Sequence, residues 1–350
     1  MSNVTNIIQT LIQLAFNRSD SFDTKIFENV KWKDVMNIAA AQGIFAIAFD
    51  GIKLLPMAYR PDKKLLIQWV GQVCYQEKMY EHNWRVAQTL SELWKKENIN
   101  TYIIKGRSIA QYYPNPAHRY SCDVDVFIAE GWNHACQLLE LQGVKLVYEV
   151  YKEVEFTMDK VYVECHRCIT PYRGNKVLHK VEEYLRSLLD EYSQRPFAGT
   201  DLLCPPLMFV IMLYIEHALG DLLHGHLSLK HIIDWIVLRR QTFDLRALRL
   251  RCKKFGFDRF LMLIDTLADV IEGKIKVEKL PPSYKDIYKS LFIMPSVSPK
   301  AESWFRRRVH LFCEIIKNRK MYQHFGYCSM ESFLLNSVWS HFFSKKVELL

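Results

Sequence analysis

The segment TYIIKGRSIAQYYPNPAHRYSCDVDVFI, residues 101–128, contains the features that decide how this chain folds. A short β-rich run ends at Gly106, and Asp123 and Asp125 lie within a second run of β-formers. Because side chains alternate along a strand, the two carboxylates are predicted to point to the same face. Like charges this close repel unless a cation lies between them, and Mg²⁺ or Mn²⁺, completed by oxygen ligands and substrate phosphates, is the expected cation. The pair therefore indicates phosphoryl or nucleotidyl transfer from an NTP.

Asp123 and Asp125 also have a purely structural interpretation. An edge strand guarded by charge, or a strand end open to solvent, would carry the same two residues. The neighbours Val124, Val126 and Phe127 favour a buried strand instead. Unpaired carboxylates are costly in a buried strand, so metal binding is the preferred interpretation.

Two metal ions usually require a third carboxylate. Glu164 is the preferred residue because it lies on a later predicted strand among apolar neighbours, and Glu155 is the competing choice. His166 shares the predicted face of Glu164. Four roles stay open for this histidine: binding metal, positioning substrate, relaying a proton, or serving as a buried structural residue.

The glycine turn that precedes the two aspartates is a predicted phosphate site. Gly106 follows a strand and opens a predicted helix, so its backbone can approach a phosphate closely. Ser108 adds a hydroxyl donor, and Lys105 and Arg107 flank the turn where a triphosphate would lie. Arg119 is predicted to contact phosphate or to pair with the carboxylates, and a surface arginine is an equal alternative.

The motifs of this segment resemble those of a bacterial family of uncharacterised nucleotidyltransferases, within the DNA polymerase β-type superfamily. That family shows a Lys-Gly turn, then Tyr-x-x-Pro-x-x-Arg, then Asp-hydrophobic-Asp, which correspond here to Lys105-Gly106, Tyr113 to Arg119, and Asp123-Val124-Asp125. An acidic-x-His strand end, a helical histidine and a helix that ends in Asp follow in the family. Here they resemble Glu164-Cys165-His166, His217 and the Leu229-to-Asp234 stretch.

The resemblance implies a palm-like mixed sheet, a helical domain and Mg²⁺-dependent transfer of a nucleoside monophosphate, and it implies no particular acceptor. One departure concerns the turn, which is usually Gly-Gly or Gly-Ser and is Gly106-Arg107-Ser108 here. Arg107 adds bulk and charge where a triphosphate would lie against backbone. This predicts an atypical NTP position or a weakened activity, whereas the complete carboxylate set argues against loss of activity.

The apolar spacing along the chain predicts an α+β fold, with a small mixed sheet between N-terminal and C-terminal helical regions. The predicted regions are residues 1–98, 99–200 and 201–350. The predicted strands are Thr101 to Ile104, Val124 to Ile128, Val144 to Val150, Val154 to Met158 and Val161 to His166. The clearest predicted helices are one after Thr5, Asp34 to Ile47 with an interruption near Gly43, Lys63 to Glu97, Ser108 to Tyr113, Trp132 to Leu141, Leu207 to Leu219, Ser228 to Arg239, Phe260 to Ile271 and Trp304 to Phe343.

Several polar residues cluster in the C-terminal half. His217, His224, His226, His231 and Asp234 fall within eighteen positions. Their spacing matches no standard zinc pattern, so cleft-lining or core histidines are preferred over a zinc site. Lys230, four residues before Asp234, is predicted to line a substrate cleft opposite the sheet together with that aspartate, His217 and His166.

The bulk composition limits the classes of partner. The 350 residues carry a formal net charge of +9, which suits an anionic partner such as a nucleotide; nucleic acid is possible but not indicated. No stretch resembles a signal peptide or approaches the roughly 18 apolar residues of a membrane span. We therefore expect a cytoplasmic protein whose nine cysteines are reduced.

The preferred hypothesis is an enzyme that moves an NMP from an NTP such as ATP to a hydroxyl or phosphate of a small molecule, protein or RNA. Asp123, Asp125 and Glu164 would hold metal, with Glu164 also helping to deprotonate the acceptor hydroxyl. Lys105, Gly106 and Ser108 would hold the triphosphate. The alternatives are a non-catalytic nucleotide- or partner-binding module on the same fold, and a toxin-like enzyme that modifies tRNA or protein.

Overall fold

A seven-stranded mixed sheet with helices on both faces forms the centre of the molecule. The structure is a computed structural model, and it describes residues 3–17, 23–172, 175–192, 194–197, 199–293 and 318–327. The predicted α+β fold with helical flanks is confirmed. Of the helical stretch predicted from Trp304 to Phe343, only residues 318–327 are described.

In the described part of the chain, helices precede the sheet, connect some of its strands and follow it. They are α1 (Asn3–Asn17), α2 (Trp32–Ala41), α3 (Phe45–Leu54), α4 (Lys63–Lys95), α5 (Gly106–Ala110), α6 (Trp132–Leu141), α7 (Lys176–Glu191), α8 (Leu207–His224), α9 (Leu229–Leu238), α10 (Leu245–Phe255), α11 (Asp258–Ile271), α12 (Pro282–Ser290) and α13 (Arg319–Phe325). The strands are β1 (Thr101–Ile103), β2 (Asp123–Ile128), β3 (Val147–Val150), β4 (Glu153–Met158), β5 (Val161–His166), β6 (Arg195–Pro196) and β7 (Leu203–Cys204).

The strand order is β3-β4-β5-β2-β1-β7-β6. The central pair, β2 and β5, is parallel, and its register places Asp125 opposite Glu164. The antiparallel pair of β4 and β5 places Glu153 opposite His166. Residues directly opposite each other on neighbouring strands share a face, so these four polar side chains lie on one side of the sheet.

The two faces of the sheet have different neighbours. Val124 and Val126 of β2 and Val163 of β5 lie in a hydrophobic cluster with residues of α4 and α6, such as Trp94. The alternate residues of the same strands include Asp123 and Asp125, and they face α8 and α9 across a cleft. The period-2 alternation of β2 and β5 thus separates an apolar packing face from a polar face.

Most predicted elements agree with the structure, and the differences have local causes. The pattern from Asp34 to Ile47 forms two helices, α2 and α3, which are separated near Gly43, where φ is +69°. The strands β6 and β7 contain two residues each, too few to show an alternating pattern. The helix α7 is absent from the predictions, although Leu178, Val181 and Leu185 recur at helical spacing and are buried.

One described helix, α8, is long and apolar enough to cross a membrane on length and composition alone. The expectation that no stretch approaches a membrane span is therefore wrong for Leu207–His224. Of that helix, 67% is buried inside the protein, in a cluster that contains residues of α1, α3, α9 and α11. Its apolar composition is accounted for by this packing. The division into residues 1–98, 99–200 and 201–350 stays a prediction.

Candidate active site

A cleft of about 340 Å³ separates the polar face of the sheet from α8 and α9. The sheet contributes its carboxylates, and the two helices contribute histidine and lysine side chains. The predicted site residues that line this cleft are Lys105, Gly106, Arg119, Asp123, Asp125, Glu164, His217, Lys230 and Asp234. His166 is fully buried beside the cleft, and Ser108 is buried beneath the glycine turn.

The three predicted carboxylates come together at one end of this cleft. Asp123 and Asp125 share a face of β2, and Glu164 lies next to Asp125 on β5. Glu155 lies opposite Glu164 on β4, one strand farther from β2. Burial and the nearby charge of Asp125 raise the pKa of Asp123 above its ordinary value. The crowding of like charges expected from the sequence is therefore present.

Lys105 lies inside this acidic group. Its Nζ is 2.6 Å from Asp125 Oδ1, 3.2 Å from Glu164 Oε2 and 3.3 Å from His166 Nε2. Burial disfavours an ionised Asp125, but Lys105 and His166 together outweigh it and hold the pKa of that carboxyl well below its usual range. On the far side of the histidine ring, His166 Nδ1 lies 2.7 Å from Glu153 Oε2.

The turn that carries Lys105 has an unusual backbone. Lys105 has φ +46° and ψ −115°, in the region that residues with a Cβ seldom adopt. A Cβ added to Gly106 would lie 2.6 Å from Ser121 Oγ and 3.5 Å from a terminal nitrogen of Arg119. Glycine is therefore required where the turn approaches the segment that leads into β2.

Arg107 and Ser108 both turn away from the cleft. The Arg107 guanidinium lies 3.7 Å from the ring centre of Tyr80 and 3.9 Å from that of Trp84, and it donates a 3.0 Å hydrogen bond to the Tyr80 carbonyl. The Ser108 hydroxyl donates to the Lys105 carbonyl at 2.9 Å. The bulky, charged side chain of Arg107 thus packs against α4 and does not enter the cleft.

Arg119 is buried and paired with Asp234 of α9, so a surface arginine is ruled out. Its Nε and one terminal nitrogen each donate to a carboxylate oxygen of Asp234 at 2.8 Å. The Tyr113 hydroxyl donates to the same carboxylate at 2.6 Å. Burial would raise the pKa of Asp234, but the charge and hydrogen bonds of Arg119, together with Lys230 and Tyr113, lower it overall. These contacts join the loop before β2 to the helical wall of the cleft.

The opposite wall contains an Asp221-centred histidine pair. Asp221 lies 2.9 Å from His231 Nε2 and 3.7 Å from His217 Nε2, and its pKa is lowered to about 2 because the two histidines outweigh burial. Lys230 lines the cleft nearby, with its pKa lowered by burial and by the charge of Arg119. Within the described ranges of the chain, its ammonium has no carboxylate at ion-pair distance.

Glu153, Lys152 and Ser121 also line the cleft and are not among the predicted site residues. Asp221, which contacts the cleft-lining His231, is not among them either. A signal for Glu153 is present in the sequence. Asp159 and Lys160 form a two-residue turn with positive φ at both positions, and counting across it pairs Glu153 with His166. The Asp221 contacts depend on how α8 packs against α9, which no local pattern specifies.

Residues 28–271 match the model of a family described as uncharacterised nucleotidyltransferase. The match covers more than two thirds of the chain and includes every residue that lines the cleft. The chain belongs to this nucleotidyltransferase family. The resemblance inferred from Lys105-Gly106, the two aspartates and Glu164 is therefore confirmed at the family level. Comparisons of this nucleotidyltransferase with curated proteins and with solved structures gave no match.

Proposed function

We propose that this nucleotidyltransferase moves a nucleoside monophosphate from an NTP such as ATP to a hydroxyl or phosphate acceptor, in a reaction that requires Mg²⁺ or Mn²⁺. The observation that carries the proposal is the convergence of Asp123, Asp125 and Glu164 at the end of a cleft whose other wall presents Lys230. Carboxylates there can hold metal ions, and a cation opposite them can meet an anionic substrate.

The donor atoms in this cleft fit a divalent metal. The ligand atoms of Asp125, Glu164 and His166 lie within 4.8 Å of one another, and the Lys105 ammonium already occupies their midst as a positive charge. Asp123 and Asp125 would hold the ion that meets the triphosphate, with Glu164 completing the carboxylate set. A bound ion would neutralise the triphosphate, stabilise departing pyrophosphate and lower the pKa of the acceptor hydroxyl.

Residues that line the cleft position the substrates and transfer the proton. The Glu164 side chain is partly exposed to the cleft, and it accepts the proton of the acceptor hydroxyl as the new bond to phosphorus forms. Gly106 lets the triphosphate approach the backbone, and Lys230 pairs with its oxygens. Lys105 joins the triphosphate once its ammonium leaves Asp125. His217, on the opposite wall, faces the acceptor.

The test is calorimetric titration of each NTP, with Mg²⁺ or Mn²⁺, into the wild type and the Asp123→Asn/Asp125→Asn double variant. We expect metal-dependent binding to the wild type and none to the double variant. Glu183→Gln, which changes an exposed carboxylate of α7, is the matched control and should bind as the wild type does. Failure of every NTP to bind folded wild type in the presence of either metal contradicts the proposal.

Labelled NTP then separates the three functional alternatives. Transfer of label to a cellular acceptor supports the enzyme, and loss of transfer in Asp123→Asn assigns it to this cleft. Binding without any labelled product favours a non-catalytic module on the same fold. Growth arrest on expression, relieved by Asp123→Asn, identifies the toxin-like form of the enzyme.

A further inference from the structure

Three side chains with lone pairs converge on a single positive charge at the polar face of the sheet. Asp125 Oδ1, Glu164 Oε2 and His166 Nε2 lie 2.6, 3.2 and 3.3 Å from Lys105 Nζ. An ammonium can only donate hydrogen bonds, so the two carboxylate oxygens accept from it, and His166 Nε2 does so in the tautomer that leaves this nitrogen unprotonated. Two oxygens and one imidazole nitrogen around a cation form a partial metal coordination shell.

The orientation of the histidine adds an independent observation. His166 has no exposed surface, and its Nδ1 lies 2.7 Å from Glu153 Oε2. The Glu153 carboxylate thus contacts the ring from behind, and Nε2, which lies 3.0 Å from Asp125 Oδ1, is the ring nitrogen that faces the group of ligands. Histidines that bind metals are held in this way by a carboxylate behind the ring. Glu153 is therefore the orienting residue, and His166 is the ligand.

We infer that Asp125, Glu164 and His166 form a divalent-cation site of mixed oxygen and nitrogen ligation, which prefers Mn²⁺ and later first-row metals to Mg²⁺. In the metal-free protein the Lys105 ammonium is the resident counter-ion of this site. Magnesium favours an all-oxygen shell, whereas imidazole suits the first-row transition metals. The metal site itself does not depend on the proposed function, but the role of the bound ion in nucleotidyl transfer does.

Displacement of Lys105 is a direct consequence of this arrangement. The ammonium and a metal ion compete for the same three atoms, so the incoming ion must expel Lys105 from the site. The ion pairs of Lys105 help to hold its backbone at φ +46°, where a residue with a Cβ is strained. Once displaced, the lysine side chain is free to meet the triphosphate in the adjoining cleft.

The first experiment uses the full chain without nucleotide. Mn²⁺ is titrated into the wild type, binding is followed by electron paramagnetic resonance, and the loaded protein is examined for electron spin-echo modulation by ¹⁴N. We expect one bound Mn²⁺ coupled to a histidine nitrogen, and weaker binding of Mg²⁺ in competition. Binding without nitrogen coupling, no Mn²⁺ binding, or equal affinity for the two metals overturns the inference.

Variants test the roles of Lys105 and Glu153 separately. Lys105→Met removes the competing ammonium, so the affinity for Mn²⁺ should rise. The control Lys152→Met removes a neighbouring cation that pairs with Glu153, and it should change the affinity for Mn²⁺ less. Glu153→Gln weakens the contact that orients the His166 ring, and the affinity for Mn²⁺ should fall about tenfold to 100-fold. His166→Gln should abolish both the nitrogen coupling and the preference for Mn²⁺. Unchanged Mn²⁺ affinity in Lys105→Met overturns the counter-ion role.

These measurements separate the inference from the proposed function. NTP binding with Mg²⁺ together with a nitrogen-free Mn²⁺ site would leave the proposed function standing and overturn the inference. A nitrogen-coupled Mn²⁺ site in a protein that binds no NTP would support the metal site and contradict the proposed function.

Discussion

Arg119 and Asp234 form a buried bidentate ion pair between the loop before β2 and helix α9, and both of its hydrogen bonds are 2.8 Å long. The two residues are 115 positions apart in the sequence. Their contact ties the segment that carries Asp123 and Asp125 to the wall that carries Lys230. This pair, with a third hydrogen bond from Tyr113, therefore links the two walls that carry the proposed metal ligands and the proposed phosphate-binding lysine.

Asp234→Asn should destabilise the protein by about 3–5 kcal/mol, because it leaves a buried Arg119 without its counter-charge. Urea unfolding at pH 7 measures the change, with Asp201→Asn, at an exposed position, as the control. Because the pKa of Asp234 is lower in the folded protein than in the unfolded chain, the ion pair stabilises the wild type fully above the ordinary aspartate pKa. This stabilisation declines as the pH falls through the lowered pKa of the folded protein. Equal unfolding midpoints for Asp234→Asn and wild type at pH 7 would contradict this role.

The two aspartates of β2 should differ in their effect on stability. The pKa of Asp123 is raised by burial and by Asp125, so Asp123→Asn removes an unfavourable charge and should leave stability unchanged or higher. Asp125 gives Lys105 its shortest ion pair, and Asp125→Asn should cost about 1–3 kcal/mol because the buried cation then keeps only the longer contact with Glu164. Metal-free urea unfolding of the two variants at pH 7 gives the comparison, and equal losses would show that the pair acts as one structural unit.

Arg107→Ala should lower stability by about 1–3 kcal/mol while leaving NTP affinity unchanged. The guanidinium is stacked between Tyr80 and Trp84, so truncation removes two cation–π contacts on the α4 side of the turn. Thermal unfolding and NTP calorimetry on the same variant separate the two effects. Reduced NTP affinity at unchanged stability would place Arg107 in the triphosphate site after all.

The strands that form the site could be predicted because their sequences carry two signals at once. In β2 and β5, β-branched residues alternate with polar ones, so the pattern indicates both a strand and the face on which Asp125 and Glu164 lie. The observed bounds of β5, Val161–His166, equal the predicted ones. The common face of the carboxylates follows from the same alternation once β2 and β5 are adjacent.

The contacts of the cations could not be predicted in the same way. Lys105 had a carboxylate group and a triphosphate as possible neighbours, and only the strained turn shows that its ammonium points at Asp125. Arg119 finds its carboxylate on α9, far along the chain. Ser108 donates locally to a carbonyl, a choice that depends on the observed turn geometry. When a long side chain has several possible partners, tertiary packing decides which of them it contacts.

Lys230→Met should weaken NTP binding about tenfold to 100-fold and should raise the stability of the free protein. The lysine faces the cleft with a pKa lowered by burial and by the charge of Arg119, so its charge opposes folding until an anion arrives. Calorimetry with NTP and metal, together with urea unfolding, tests both effects, with Lys276→Met at an exposed position as control. Loss of stability without loss of NTP affinity would make Lys230 a structural residue.

His118 should make stability depend on pH near neutrality. Its two ring nitrogens lie 2.5 Å from Asp50 and 3.0 Å from Glu77, one residue before Arg119. Although burial disfavours the charged ring, these carboxylates raise the pKa of His118 above its ordinary value. A raised folded-state pKa means that the contribution is complete below the unfolded-state pKa and is lost as the pH rises through the folded-state value.

The pKa of Asp50 is lowered, since His118 and Lys53 outweigh its burial, so the same contact is also lost when the pH falls far enough to protonate that carboxylate. The stability difference between wild type and His118→Gln should therefore be largest between about pH 4 and 6.5, the ordinary pKa values of Asp and His. We expect it to reach about 1–2 kcal/mol there and to shrink at alkaline pH. The control is His134→Gln, which changes a half-exposed histidine beside Glu97. A difference that grows from pH 6 to pH 9 would show that neutral, rather than charged, His118 stabilises the loop before Arg119.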